Sequence, residues 1–214
     1  MLTQLQIWFN IAWQVLSYSH KLIAWNLFLA FIPLVLSFWL FRRAQKRSLL
    51  WWIGVLSFMG FLPNAPYVLT DVIHLIDLIR YGFSAWIVAL VLIPQYTLFI
   101  LSAFEAYTIS VINVGYYLHR QNLSRYILAT EIIIHALSAI GIYLGRFQRF
   151  NTWDFVTQPK ILLSSIFETF VKKQPILVTV ITFVVITVLY WLVKQVNLGI
   201  ALRIKESKNK NYSE

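Results

Sequence analysis

Apolar runs of about twenty residues, the length a helix needs to cross a bilayer's hydrocarbon, recur along this chain between short polar or prolyl breaks. Five such runs, at 25–41, 49–69, 83–107, 126–145 and 175–193, predict five membrane-spanning helices. The third run stays apolar to Leu118, so its helix is expected to tilt or protrude. Pro33 would kink the first span, which a membrane helix tolerates. Pro63 and Pro66, flanking Asn64, predict a break at the end of the second.

Other segments have a different pattern. Residues 3–18 are apolar but short, with Gln4, Gln6, Asn10 and Gln14 interspersed among aromatics, which predicts an interfacial helix. In 71–80, Asp71, His74, Asp77 and Arg80 step every three residues along one face, and aliphatic residues fill the other. That pattern predicts an amphipathic helix on the membrane surface, with Thr70 as its cap and Asp71 at the positive end of its dipole. Residues 146–174 form a further polar-to-amphipathic stretch. The fold class is therefore all-α: a polytopic membrane bundle of about five transmembrane helices plus two or three interfacial amphipathic ones. It is one domain, 1–195, followed by a Lys-rich cytoplasmic tail, 196–214, whose residues 203–214 are expected to be disordered.

Composition sharpens this picture. The chain is 59% hydrophobic and 12% charged, against about 25% charged in soluble domains. With no cysteine, disulfides, thiolate metal sites and iron–sulfur clusters are excluded. Nothing in the composition names a cofactor or a metal. The net charge of +10 would suit nucleic acid, but the cations sit in loops, where they set topology. The expected partner is the lipid bilayer, not nucleic acid, with a homo-oligomer or other membrane subunits left open. No Lys or Arg precedes Lys21, so the N-terminus is not expected to be a signal peptide.

Arg and Lys counts orient the bundle. RRAQKR at 42–47, Arg120 with Arg125, and the cations from Lys194 to Lys210 share one side if five spans start from an outside N-terminus. The expectation is an outside N-terminus and a cytoplasmic C-terminus. The loop 146–174 dissents, with Arg146, Arg149, Lys160, Lys172 and Lys173 on the outer side.

Two constellations could carry chemistry. At the outer face, 61–80 and 145–154 bring together Asn64, Tyr67, Asp71, His74, Asp77, Arg80, Arg146, Arg149, Asn151, Trp153 and Asp154. These could be headgroup anchors or the lining of a polar site. Asp71 and His74 have acid–base or metal-ligand spacing, and Arg146 with Arg149 could hold a phosphate or carboxylate. Deeper, Glu131 and His135 share a face of the fourth span, and Glu105 lies at comparable depth on the third. Intramembrane carboxylates cost about 2.5–3.5 kcal/mol on insertion scales. The three residues could be a hydrogen-bonded clasp, with Glu105 bonded to Glu131 or His135, or a proton relay or ion site.

At FLPNAPYVLTDVIH and GIYLGRFQRFNTWD the chain resembles a bacterial integral-membrane family known as domain of unknown function 1361, over roughly 20–195. The resemblance implies a multi-pass protein of the bacterial inner membrane, common in cyanobacteria and Gram-positive bacteria, and implies no activity. It places the family's motif residues at Asn64, Ala65, Pro66, Tyr67, Asp71, His74, Gly145, Arg146, Arg149, Asn151 and Asp154. Three functions compete: small-solute or ion binding and transport, a membrane-embedded hydrolase or transferase acting at the lipid headgroup level, and a non-catalytic assembly or sensor subunit.

The orientation is directly testable. Reporter fusions after Arg47 and after Lys210 should report the cytoplasm, and fusions near Asp77 and Lys160 the outside. A cytoplasmic signal near Asp77 would overturn the topology.

Overall fold

The structure, a computed structural model, describes residues 2–44, 46–171 and 173–211. Lys172, one of the dissenting cations, and tail residues 212–214 lie outside them. All regular structure among the described residues is helical. Five segments are long and apolar enough to cross a membrane: Gln6–Arg43, Leu49–Arg80, Ala85–Arg120, Ser124–Phe147 and Lys173–Asn209. Large apolar side chains such as Phe28, Leu56, Leu98 and Val188 lie exposed along them, as expected of surfaces that meet lipid.

Helix α1 runs over Leu2–Ser37 without interruption. The sequence separates an interfacial helix at 3–18 from a span at 25–41, but no proline or glycine lies between them to stop the helix. A π-helical turn, Phe38–Arg43, closes the segment and buries Leu40 and Phe41. Trp51 donates its indole N–H to the Leu40 carbonyl at 3.0 Å. Helix α2 (Leu49–Phe61) starts at Ser48, whose hydroxyl accepts the Trp51 amide.

Pro63 and Pro66 do not end the second segment. They reshape it into α3 (Asn64–Tyr67), a 3₁₀ turn (Val68–Asp71) and α4 (Val72–Arg80), with helical dihedrals at every junction. Pro63 and Pro66 sit at the start of short turns, where a missing N–H costs little. Thr70 does not cap α4. Its hydroxyl donates to the Tyr67 carbonyl at 2.8 Å instead.

Helix α5 (Ala85–Ile87) is capped by Ser84 and passes through a π-helical turn, Val88–Leu92, into α6 (Ile93–Arg120). Helix α6 is the central post, packed against α1, α3 and two later helices, α7 and α10. Its Tyr96, Phe99, Ala103, Phe104, Tyr107, Val111 and Asn113 are all buried. It ends at Asn122, whose φ of 58° is left-handed, and the Leu123 amide returns to the Leu118 carbonyl at 2.9 Å, a common helix stop. After a 3₁₀ turn (Ser124–Tyr126), α7 (Ile127–Phe147) runs back along the bundle. Short helices α8 (Asp154–Thr157) and α9 (Pro159–Val171) lead to α10 (Lys173–Asn211). Helix α10 continues through the described part of the tail, so 203–211, expected to be disordered, is helical.

Gly141 marks the closest approach of α7 to the Pro63 turn: a β-carbon there would lie 2.8 Å from Pro63 Cβ and 2.9 Å from its Cγ. The proline ring cannot rotate away, so Gly141→Ala should cost about 1–3 kcal/mol, the usual price of overpacking. Gly199 on α10 has nothing within 4 Å of its would-be β-carbon. Gly199→Ala should stabilise by up to about 1 kcal/mol through helix propensity. Thermal denaturation of both variants in detergent checks the pair.

Candidate functional site

Asp71 is the hub of one end of the bundle, hereafter the Asp71 end. It closes the 3₁₀ turn after Pro66, which swings its side chain inward, leaving the residue 1% exposed. Asn26, from mid-α1, donates Nδ2–H to Asp71 Oδ2 at 2.6 Å. His74 Nε2 and Arg146 Nη1 each stand 3.8 Å from Asp71 Oδ1. That distance is too long for a direct hydrogen bond and suits charge attraction. The carboxylate thus ties α1, the 68–71 turn, α4 and the last turn of α7.

The second expected segment docks on the same end. Asn64 Nδ2 donates to Thr152 Oγ1 at 3.0 Å and to the Phe61 carbonyl at 2.9 Å. The Tyr67 ring packs over Gly145, where a β-carbon would come within 3.3 Å of it. Asp154 is buried and structural: its carboxylate accepts the Asn151 amide at 2.6 Å and the Thr157 hydroxyl at 3.2 Å, tying the start of α8. Arg149 holds a left-handed φ of 59°, a costly conformation for a residue with a side chain. It ends α7, and the Phe150 amide turns back to the Leu144 carbonyl at 3.2 Å. Asp77, Arg80 and Trp153 are exposed, and Asp77 has no side-chain partner among the described residues.

Between α1, α2, α7 and α9 lies a cavity of about 1110 Å³. Leu29, Leu56, Phe61, Leu137 and Ile166 give it apolar walls. Asn26, Asn64, Tyr67, Arg149, Asn151 and Thr152 give it a polar rim, and Ser138 reaches it from α7. Of the expected outer residues, Asn64, Tyr67, Arg149, Asn151 and Trp153 line this cavity. Asp71, His74, Asp77, Arg146 and Asp154 do not, though Asn26 belongs to both the cavity wall and the Asp71 hub.

The deeper constellation is a chain of contacts. Glu131, 7% exposed, accepts from Tyr190 OH at 2.7 Å and Lys194 Nζ at 2.6 Å. His135, one turn further along α7 and 1% exposed, lies against the Tyr190 ring with centroids 4.5 Å apart. Its Nδ1 shares a hydrogen bond with Tyr107 OH at 2.6 Å. Tyr107 OH donates in turn to Ser138 Oγ at 3.4 Å. Glu105 is not part of this chain: it makes no hydrogen bond or ion pair among the described residues. Residues two apart on a helix differ by about 200°, so turning Tyr107 towards α7 turns Glu105 away from it. His119 bonds Ser124 at the far end of α6.

No group of three His, Asp or Glu side chains comes together to hold a metal among the described residues. Of the residues the sequence reading missed, Asn26 is the one amide in the run 25–41 and was legible on that ground. Tyr107 and Tyr190 look like ordinary bundle aromatics, and Lys194 like a topology cation, until the fold turns all three inward.

A family model described as a protein of unknown function, DUF1361, matches residues 25–188. No curated protein and no solved structure matches the chain.

The Asp71 hub predicts energetic coupling. Removing Arg146 or Asp71 alone leaves the other charge without a partner in a half-dry site. In a double-mutant cycle of Asp71→Ala and Arg146→Ala, the double variant should be more stable than the sum of the singles by about 0.5–3 kcal/mol. Simple additivity in thermal denaturation would show the two charges to be independent.

Proposed function

We propose a function from the site itself, because the chain belongs to a family defined only as proteins of unknown function, DUF1361. The protein binds a small polar or anionic solute in the cavity at the Asp71 end, and proton movement through the membrane interior accompanies its transport.

One observation carries this reading: Ser138 is at once part of the cavity wall and the last link of the chain from Lys194 through Glu131, Tyr190, His135 and Tyr107. A packing clasp needs hydrogen bonds but has no reason to end at a cavity. A relay needs groups that exchange protons, placed in series, with one end opening where the solute sits. The step from Glu131 to His135 has no direct hydrogen bond. Proton transfer across it would need the Tyr190 hydroxyl, which bonds Glu131 and whose ring lies against His135, to swing between them. Arg149 and the amides at the rim supply donors suited to a carboxylate or phosphate group. Acid–base or metal-assisted catalysis at the headgroup level would need Asp71 and His74 together to face a substrate, and Asp71 is turned inward to Asn26, leaving only His74 partly exposed.

Glu131→Gln separates relay from clasp. The amide oxygen still accepts from Tyr190 and Lys194 but leaves Lys194 without its counter-charge, so the fold should be retained and the melting temperature should fall by about 4–8 °C, the equivalent of roughly 2 kcal/mol. Uptake of labelled small carboxylates and phosphates into proteoliposomes, driven by a pH gradient, should be lost in Glu131→Gln and in His135→Gln. Uptake that survives in Glu131→Gln, or that ignores the gradient, would leave only the clasp.

A further inference from the structure

The opposite end of the bundle carries a second site, built from cations. From Asn26 to Arg42 along the first segment is sixteen residues, or about 24 Å of helical rise, so this cleft stands a membrane's width from the Asp71 hub. Its volume is about 520 Å³, and Lys46, Arg47, Trp51, Tyr117, Arg120 and Gln121 line it. Of the described carboxylates, Asp71, Asp77, Glu105, Glu131, Asp154 and Glu206, none lies among the lining residues.

Two of the cations, Arg47 and Arg120, are held in place by hydrogen bonds. Arg47 donates Nε–H to Tyr117 OH at 2.7 Å and Nη2–H to Gln121 Oε1 at 3.0 Å, with its guanidinium 5.6 Å from the Tyr117 ring centroid. Those bonds use one edge of the guanidinium and leave Nη1 unengaged. Arg120 donates Nη1–H to the Arg42 carbonyl at 3.4 Å, which leaves its Nη2 unengaged. Lys46 makes no hydrogen bond among the described residues. Trp51, locked by its bond to Leu40, and Tyr117 form an aromatic wall. The neighbouring Arg42 is absorbed elsewhere: Nε–H goes to the buried Asn113 amide oxygen at 2.7 Å, and the guanidinium lies 3.9 Å from the Tyr116 ring centroid. Among the described residues, three cations thus share one cleft with free donors and no counter-charge, beside aromatic groups suited to the headgroup boundary.

We propose that this cleft binds a phosphate group, taken by its oxyanion between Lys46, Arg47 and Arg120. Its place at the end of the spanning helices makes the headgroup of an anionic phospholipid the favoured source. Arg donors arranged side by side match phosphate oxygens, and basic pockets between spanning helices take anionic headgroups on general electrostatic grounds. The inference is independent of the cavity at the Asp71 end and of any transport.

The full chain, purified in a zwitterionic detergent, tests it. Phosphatidylglycerol added to the micelles should raise the melting temperature and appear as a bound adduct by native mass spectrometry, and phosphatidylcholine should do neither. Lys46→Ala should weaken phosphatidylglycerol binding by about fivefold, the value of one basic residue at an anionic surface. Arg203→Ala, an equal loss of charge on the exposed end of α10, should leave it unchanged. Arg47→Ala also removes a brace between the 44–48 link and α6, so Arg47→Lys is the companion: it keeps the charge and loses the fork, and should weaken binding without matching the alanine variant's loss of stability. Inorganic phosphate that reproduces the shift and competes with the lipid would assign the site to a soluble phosphate instead. Equal effects of Lys46→Ala and Arg203→Ala would overturn the site, because the attraction would then be a property of net charge alone.

Discussion

Inside a bilayer a polar group has no water to fall back on, so each must find its partner within the bundle. The buried contacts of Asp71, Glu131 and Asn113 answer that constraint. Asp71 is held by Asn26 and faced by His74 and Arg146, while Glu131 is held by Tyr190 and Lys194. Asn113, fully buried on α6, accepts from Arg42 and donates to Ser37 at 2.8 Å. In each case the partners come from different helices. Apolar packing against lipid-like side chains does little to choose one helix arrangement over another. Satisfying these groups does, because a slipped or rotated helix would strand a charge.

The three clusters divide the bundle between them. The Asp71 hub gathers α1, α4 and α7 at one end, and Asn113 fixes α1 to α6 towards the other. Glu131 and His135 join α7 to α10 and, through Tyr107, to α6. Helix α6 takes part in two of the three and lies next to Asp71 as well, which explains why it holds so much of the buried core. The cavity lies between α1, α2, α7 and α9, and the Pro63–Gly141 contact and the Asn64–Thr152 bond form part of its wall.

Much of the fold was legible in the apolar pattern, because a span declares itself by length and hydropathy alone. Boundaries were less so. Prolines at 63 and 66 signal a break, yet a tightened helix tolerates them at the head of short turns, and no single-residue signal distinguishes the two outcomes. Polar residues within or beside the apolar runs drew attention to Asp71, Arg146, Glu131 and His135, each of which has a partner in the structure. Their partners were harder to read. Asn26 was an anomaly in its run, but Tyr107, Tyr190 and Lys194 become polar partners only through the rotational setting of their helices. The same setting removed Glu105 from the group to which depth alone had assigned it.

Arg149 carries one further consequence. Its left-handed backbone is the conformation a glycine adopts freely, while its guanidinium stands on the cavity rim. Stability and chemistry therefore ask for different residues at this position. A screen that rewarded heat resistance alone would be drawn to Arg149→Gly, and each such winner would be sturdier and would lack a cation at the cavity mouth. Position 149 is a place where the chain lies off its own stability optimum, and thermostabilising this protein for structural work would best leave it untouched.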